Sequence, residues 1–510
     1  MTQIQKTHVV VIGGGAAGMS CAATLAKHPD RFKVTLIEKQ PYVGGQATSL
    51  PLDKAQYGAD WMNNGVQGGS KIFKHTFRFF ERFGTPAQPV QLQVAFGKGI
   101  DGFWTNCFPS QLVATYASDI RRFGKLLTLV KWTLPATGLV PISLMLRLFF
   151  FSRDFGEKMV YPLIALFLGT GNQTPHVPCG IVERLFDDPN MKLWDYDRDT
   201  LLPNLPTMYT FGNLANFYQT WRDDLTNNHG VEILTGTQVT QVVSRSSKGV
   251  TLQLSPASGG DPKTVTYDEM VLCVLADEAL AILGKQATWR ERFVLGSASF
   301  YDDVTVTHSD TRYFEQHYET SFTPDLCAKA TTPAQEKQVA FATGQDSSAG
   351  FQPMYFTYSY PQDKRLIEMS FNCSNYQHQF REEAKNKDPV YQTIFLDKKR
   401  QDTWTMGDID ESKIIKVNWW HQLGHRWQHY LKVVPCMMFI NGRNRTCYAG
   451  SWTLVNMHEV ACVSGMAAAY RLGADYDRFD DFAEDFFSKY LLLSHGKIFS
   501  WLERGRKKTA

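Results

Sequence analysis

The stretch HVVVIGGGAAGMSCAATLA, residues 8–26, constrains this chain more than any other. HVVVI is a β-branched run that reads as a buried parallel strand, and the glycine-rich turn after it opens a helix of small residues. Strand, turn and helix in that order suit a dinucleotide. Gly13 permits the tight turn, and Gly15 leaves no side chain where a pyrophosphate must approach. Ala16 and Ala17 open the helix, and Gly18 with Ala22 lets it pack close to the sheet. The helix N-terminus then offers free amides and the positive end of its dipole to the phosphates. A second strand over residues 32–37 ends at Glu38, followed by Lys39, with the acid 20 residues beyond Gly18. There it can accept hydrogen bonds from a ribose diol, and Glu rather than Arg argues against a 2′-phosphate.

Downstream residues decide between flavin and nicotinamide. KQPYVGGQATSL, residues 39–50, holds the pair Gly44-Gly45 followed by Gln46. It resembles the second glycine motif of the flavin amine oxidase and phytoene desaturase superfamily, whose turn closes over the FAD pyrophosphate. The family usually has Arg after the pair, so Gln46 implies weaker charge neutralisation here. VEILTGTQVTQVV, residues 231–243, looks like the family's strand pair on the adenine side, with the backbone of Val239 at the base; YDEMVLCVL, residues 267–275, looks like the returning strand. Near the C-terminus, YAGSW takes the place of the final strand and glycine turn, and NMHEVACVSGMAAA that of the helix pointing at the flavin. The resemblance implies that amides of Met457 and His458 stabilise the reduced flavin, with Gly450 and Ser451 removing bulk beside it. It also implies non-covalent FAD, because Cys447 lies before the final strand rather than in the attachment loop. MHEVACVSGMAAAYRLG and YDDVTVTHSDTRYF, residues 301–314, are closer to a subgroup of predicted flavoproteins whose bacterial members are associated with unsaturated and cyclopropane fatty acids.

The fold this implies is α/β: a Rossmann-type FAD-binding domain of discontinuous segments (1–75, 220–290, 435–475) with an α+β substrate domain (76–219, 291–434) and a helical tail (476–510). A chain of 510 residues exceeds what one core organises, which fits two domains. There is no second GxGxxG after a strand, so electrons are expected to pass to dioxygen, to an external acceptor, or back to the substrate. Lys plus Arg number 53 against 50 acidic residues, which gives no reason to expect nucleic acid. The basic cluster Arg504, Arg506, Lys507 and Lys508 reads as a solvated end. Nine cysteines without a CxxC pair, and a polar MTQIQKTH start, point to a reducing, cytoplasmic setting in which the sequons at Asn172, Asn372 and Asn444 stay unmodified.

Residues 126–151 form the longest apolar stretch, but Lys131, Pro135, Pro141 and Arg147 break it below the ~20 apolar residues of a membrane span. With MVYPLIALFLGTG, residues 159–171, two readings stay open: an interfacial surface or greasy tunnel for a lipophilic substrate, giving peripheral membrane contact through 126–151, or core helices.

Around the flavin ring the expected residues are Trp452, Met457 and His458 from the last turn, with Val66 and Gln67 from GADWMNNGVQGG, residues 58–69, a stretch that resembles the family's return past the flavin. His458, Gln67 and Trp452 are the catalytic candidates, although a structural role at the helix start is the favoured reading of His458, and Glu459 is read as a hydrogen-bond acceptor steadying the turn. His308 with Asp310 is a candidate polar pair facing the pocket, although an isolated histidine on a strand is more often a satisfied core or surface group. Trp419, Trp420, His421, His425 and His429 lack an acidic ligand and read as aromatic packing, so no metal site is expected. The leading expectation is an FAD-dependent oxidoreductase taking hydride from a small lipophilic, unsaturated substrate, a fatty acid or isoprenoid, with oxidation, desaturation or double-bond isomerisation as the outcome. Alternatives are an amine oxidase releasing imine and hydrogen peroxide, and a non-catalytic flavin-binding protein. Oligomeric state is not legible.

Overall fold

The structure is a computed structural model describing residues 6–345, 350–381 and 386–499. Five strands from across the chain form one all-parallel sheet: β1 (Thr7–Ile12), β2 (Phe32–Ile37), β3 (Glu232–Leu234), β4 (Glu269–Leu272) and β5 (Thr446–Tyr448), in the order β3-β2-β1-β4-β5. The unbroken apolar run of β1 follows from burial on both faces. Val9 and Val11 pack into a helical layer, whereas Val10 and Ile12 face an antiparallel meander of Thr237–Ser246, Gly249–Pro256 and Lys263–Tyr267.

The helical layer holds α1 (Ala16–Ala26), in which all eleven residues are buried, and α2 (His458–Leu472). Both are rich in Ala, Gly, Ser and Cys because they lie against each other: a Cβ on Gly465 of α2 would stand 2.0 Å from the Ala17 carbonyl oxygen of α1. The first and last parallel-sheet helices are thus one packing unit. Helix Leu214–Asn227 adds Tyr218 and Trp221 to the same core.

The substrate domain is α+β, as the sequence predicts. Its seven-stranded sheet runs Ile414–Leu423, Phe300–His308, Tyr391–Phe395, Ile367–Asn372, Tyr355–Ser359, Val94–Phe96, Trp104–Thr105, antiparallel except where Val94–Phe96 meets Tyr355–Ser359. Most of its helices lie between residues 111 and 187, with Thr311–His317 and Pro333–Thr343 outside that stretch. Within 126–151, helices Ala117–Trp132 and Ile142–Leu148 bury Leu126, Leu127, Val130, Met145 and Leu146, but leave Leu129, Trp132, Leu144 and Leu148 exposed. Among the described residues no helix is long and apolar enough to cross a membrane. Residues 159–171 are largely buried. Of the C-terminal tail, helix Asp481–His495 is described; the basic residues Arg504, Arg506, Lys507 and Lys508 lie outside the described residues.

Candidate functional site

Between the parallel sheet and the substrate domain lies a cavity of about 900 Å3. That is at the upper end of ligand pockets, which run to ~1,000 Å3. Its sheet-side wall is made by the turns that leave β1, β2, β4 and β5. Gly13 (φ +103°) turns the chain out of β1, and a Cβ there would meet the Cys273 carbonyl oxygen at 2.5 Å. Gly15 opens α1 with no atom within 4 Å of where a Cβ would stand, so its bare backbone faces open space. No side chain caps α1, which leaves its first amides for a ligand. Gly18 does not line the cavity: a Cβ there would stand 1.8 Å from the Gly13 carbonyl oxygen and 3.5 Å from the Cys273 Cβ, so its bareness lets α1 pack close to the ends of β1 and β4.

The second glycine pair sits directly on the first. The Gly44 amide donates to the Gly14 carbonyl at 2.8 Å, and a Cβ on Gly45 (φ +61°) would lie 3.3 Å from the Gly15 Cα. Gln46 is exposed at the cavity. Glu38 is buried, and its carboxylate accepts from the Gly14 amide at 2.6 Å and the Gln40 amide at 2.8 Å. Two amides fix its orientation while its remaining lone pairs face the cavity wall it helps line. Lys39 pairs with Glu278 at 2.7 Å across the same end. Val239, at the start of the meander, completes that end.

Gly450, Ser451, Trp452, Met457 and His458 reach the cavity from the turn between β5 and α2. Gly450 adopts φ +148°, and its amide donates to Ser464 Oγ at 2.8 Å, pinning the turn onto α2. No side chain caps α2 at Met457, so its amides, like those of α1, open toward the cavity. One pocket therefore receives two uncapped helix N-termini from opposite ends of the chain.

The side chains proposed for chemistry are engaged elsewhere. The His458 ring is hydrogen-bonded at both nitrogens, Nδ1 with Thr76 Oγ1 at 3.0 Å and Nε2 with the Tyr218 hydroxyl at 2.6 Å, and burial lowers its pKa to about 4. It is a neutral strut joining α2 to two neighbouring helices, which fits the structural role favoured for it over acid–base work. The Trp452 indole N–H donates to the Val274 carbonyl at 2.9 Å, and the Gln67 amide group is held by Gln392 and Gln377, so both shape the wall rather than offering a free proton. Val66 lines the cavity beside Gln67. Glu459 is an acceptor, but for another element: its carboxylate takes the His75 and Thr76 amides, each at 2.9 Å, anchoring the helix Lys74–Arg82. Burial works to raise its pKa, and the His75 charge and these hydrogen bonds overcome it and lower it.

His308 and Asp310 do not face the pocket, which corrects that expectation. His308 is fully buried, bonded to Thr393 Oγ1 at 3.1 Å, while Asp310 caps Thr311–His317 through the Tyr313 amide. Cys447 is buried in β5 and does not line the cavity. Trp419, Trp420 and His421, expected as aromatic packing, line the cavity from the edge strand Ile414–Leu423. His421 bridges Asp302 (2.7 Å) in the substrate domain and Asp277 (2.8 Å) in the helix after β4. Burial alone would lower its pKa, but the two carboxylates raise it. His425 and His429 are buried off the wall.

The opposite wall carries residues that no local motif marks: Leu193, Trp194, Met208, Tyr355 and Phe371, with Leu166 and Phe167 from the apolar block 159–171. Phe167 and Trp194 lie 4.0 Å apart, centroid to centroid. The only signal in the sequence is that block of apolar residues; the remaining side chains meet through sheet pairing and helix packing far apart in the chain.

The profile of the NAD(P)-binding Rossmann-like domain family matches residues 11–83. No curated protein matches the chain. Among solved structures the chain is similar to the CLA-producing fatty acid isomerase from P. acnes, at a TM-score of 0.58 and 15% identity over 93% of this chain and 100% of that one. It is similar to putrescine oxidase bound to putrescine, at a TM-score of 0.58 and 12% identity over 92% and 100%. It is likewise similar to cyclohexylamine oxidase from Brevibacterium oxydans, at a TM-score of 0.56 and 12% identity over 94% and 100%. At such identities the likeness is one of fold, and it spans both domains. With the discontinuous parallel sheet and the paired glycine turns, it shows that this chain has the fold of these structures, built around the Rossmann-like segment that the profile marks.

Proposed function

We propose that the chain is an FAD-dependent enzyme acting on a lipophilic, unsaturated substrate. The residues present fit the cofactor: bare backbone at Gly15, a pre-oriented Glu38 carboxylate for a ribose, Val239 for the base, and the uncapped ends of α1 and α2 for the anionic parts. Bound FAD supplies a hydride acceptor. The chain holds the substrate against it, excludes water and orients it.

The observation that carries the substrate reading is the chemistry of the opposite wall. Leu166, Phe167, Leu193, Trp194, Met208, Tyr355 and Phe371 contribute no charge. Of the two carboxylates that line the cavity, Glu38 stands at the end assigned to the ribose and Glu278 is paired with Lys39, so neither lies free on this wall. A diammonium substrate would therefore find no free counter-ion, and burying it unpaired is costly. An apolar chain gains by burial there at ~25 cal/mol per Å2. A second reading, oxidation of an aryl or cyclic monoamine, is favoured by the same aromatic residues, which can face a cation.

Anaerobic mixing of the purified flavoprotein with a polyunsaturated fatty acid, and separately with benzylamine and putrescine, tests this. The proposal expects conjugated-diene absorbance or flavin bleaching with the fatty acid and no reaction with putrescine. Bleaching by benzylamine alone would install the second reading, and turnover of putrescine would contradict the counter-ion argument.

A further inference from the structure

We infer that the helices Ala117–Trp132 and Ile142–Leu148 form a docking plate for the surface of an anionic lipid bilayer. The segment that follows the second helix returns to the start of the first: the carbonyls of Phe149 and Phe150 accept from Arg122 at 2.9 and 3.5 Å. Inward faces of both helices join one core through Leu126, Leu127, Val130, Met145 and Leu146. Outward faces expose Leu129, Trp132, Leu144, Leu148, Phe149 and Phe150. Trp132 is 81% exposed and Phe150 88%. Phe150 also adopts φ +57°, a left-handed conformation that a bulky residue enters at a cost, and its backbone thereby sends the ring into solvent.

Charge identifies the occupant. Residues 117–150 carry five basic side chains against one acid; Arg122 pairs with Asp119, Arg121 with Asp199 and Lys131 with Asp187, so the surplus rests on Lys125 and Arg147. Lys125 and Arg147 have no ion pair among the described residues. Large apolar and aromatic groups set among cations are the makeup of interfacial elements that sink into the headgroup boundary of anionic membranes. A second copy of the chain is a poor occupant, because a two-fold contact would set these cations against themselves. The inference is independent of the flavin reading, since it rests on a surface remote in sequence from the glycine turns.

Flotation of the full chain with phosphatidylcholine vesicles, with and without phosphatidylglycerol, tests it. Wild type should float with the anionic vesicles, less as salt rises, and poorly with neutral ones. Trp132→Ser with Phe150→Ser should abolish flotation. Lys125→Glu with Arg147→Glu should weaken it on the order of 25-fold, from about fivefold per lost basic residue. Both variants change exposed side chains and should melt with wild type. The inference is overturned if wild type does not float, if both variants float like wild type, or if sedimentation shows self-association that Trp132→Ser with Phe150→Ser abolishes in the absence of lipid binding.

Discussion

Asp303 shows what one side chain can impose on the stability of this chain. It lies on the strand Phe300–His308, 3% exposed, and accepts the Asp397 amide at 2.7 Å. Burial, aided by the nearby Asp397 and Asp302 charges, pushes its pKa up to about 8. In the unfolded chain it ionises near ~3.9. Between those values the folded chain keeps a proton that the unfolded chain has released, so this group's contribution to stability is lost progressively as pH rises from about 4 to about 8. Asp303→Asn keeps the acceptor for Asp397 and removes the titration. The variant should melt above wild type at pH values near 8, with the gap closing toward pH 4; parallel melting curves across that window would contradict it.

At the scale of elements, the crossing of α1 on α2 brings the two termini to one cavity, and its geometry sets the tolerance of each glycine. A side chain at Gly465 must displace the Ala17 carbonyl, so Gly465→Val should destabilise the fold by ~1–3 kcal/mol or more, as overpacked cores do. Gly15 has ordinary φ (−75°) and open space beside it, so Gly15→Ala should leave the flavin-free protein melting near wild type while filling the cradle. Equal losses at the two positions would contradict the packing account. The same contrast explains what the sequence reveals. Gly13, Glu38 and the Gly44-Gly45 pair act through neighbours close in the chain, so spacing alone exposes them. Gly465 has its partner 448 residues away and gives no local sign. His308 and Asp310 share a strand end whose facing is set by pairing with Tyr391–Phe395, a sheet property that no single strand declares. A structural role for His458 can be expected from its place at a helix start, but its partners Thr76 and Tyr218, on distant helices, cannot be read from the sequence.

For the whole molecule, five strands spread from residue 7 to residue 448 close into one sheet, and the turns at its carboxyl ends converge on a single cavity. The discontinuous layout was legible because each glycine turn carries its own strand and helix signals. The opposite wall was not, because Trp194, Met208, Tyr355 and Phe371 come together only when the substrate domain closes over the sheet. The apolar stretch 126–151 proved to have one face in the core and one in solvent, a division that composition cannot make. The central claim is that both ends of the chain grip one FAD through backbone amides, without a covalent link. Its most direct test is the flavin released on heat denaturation of the purified, folded full-length chain. The account predicts a yellow protein that yields about one FAD per chain into the supernatant, leaving colourless precipitate; a monodisperse, cooperatively melting protein that releases no flavin would contradict it.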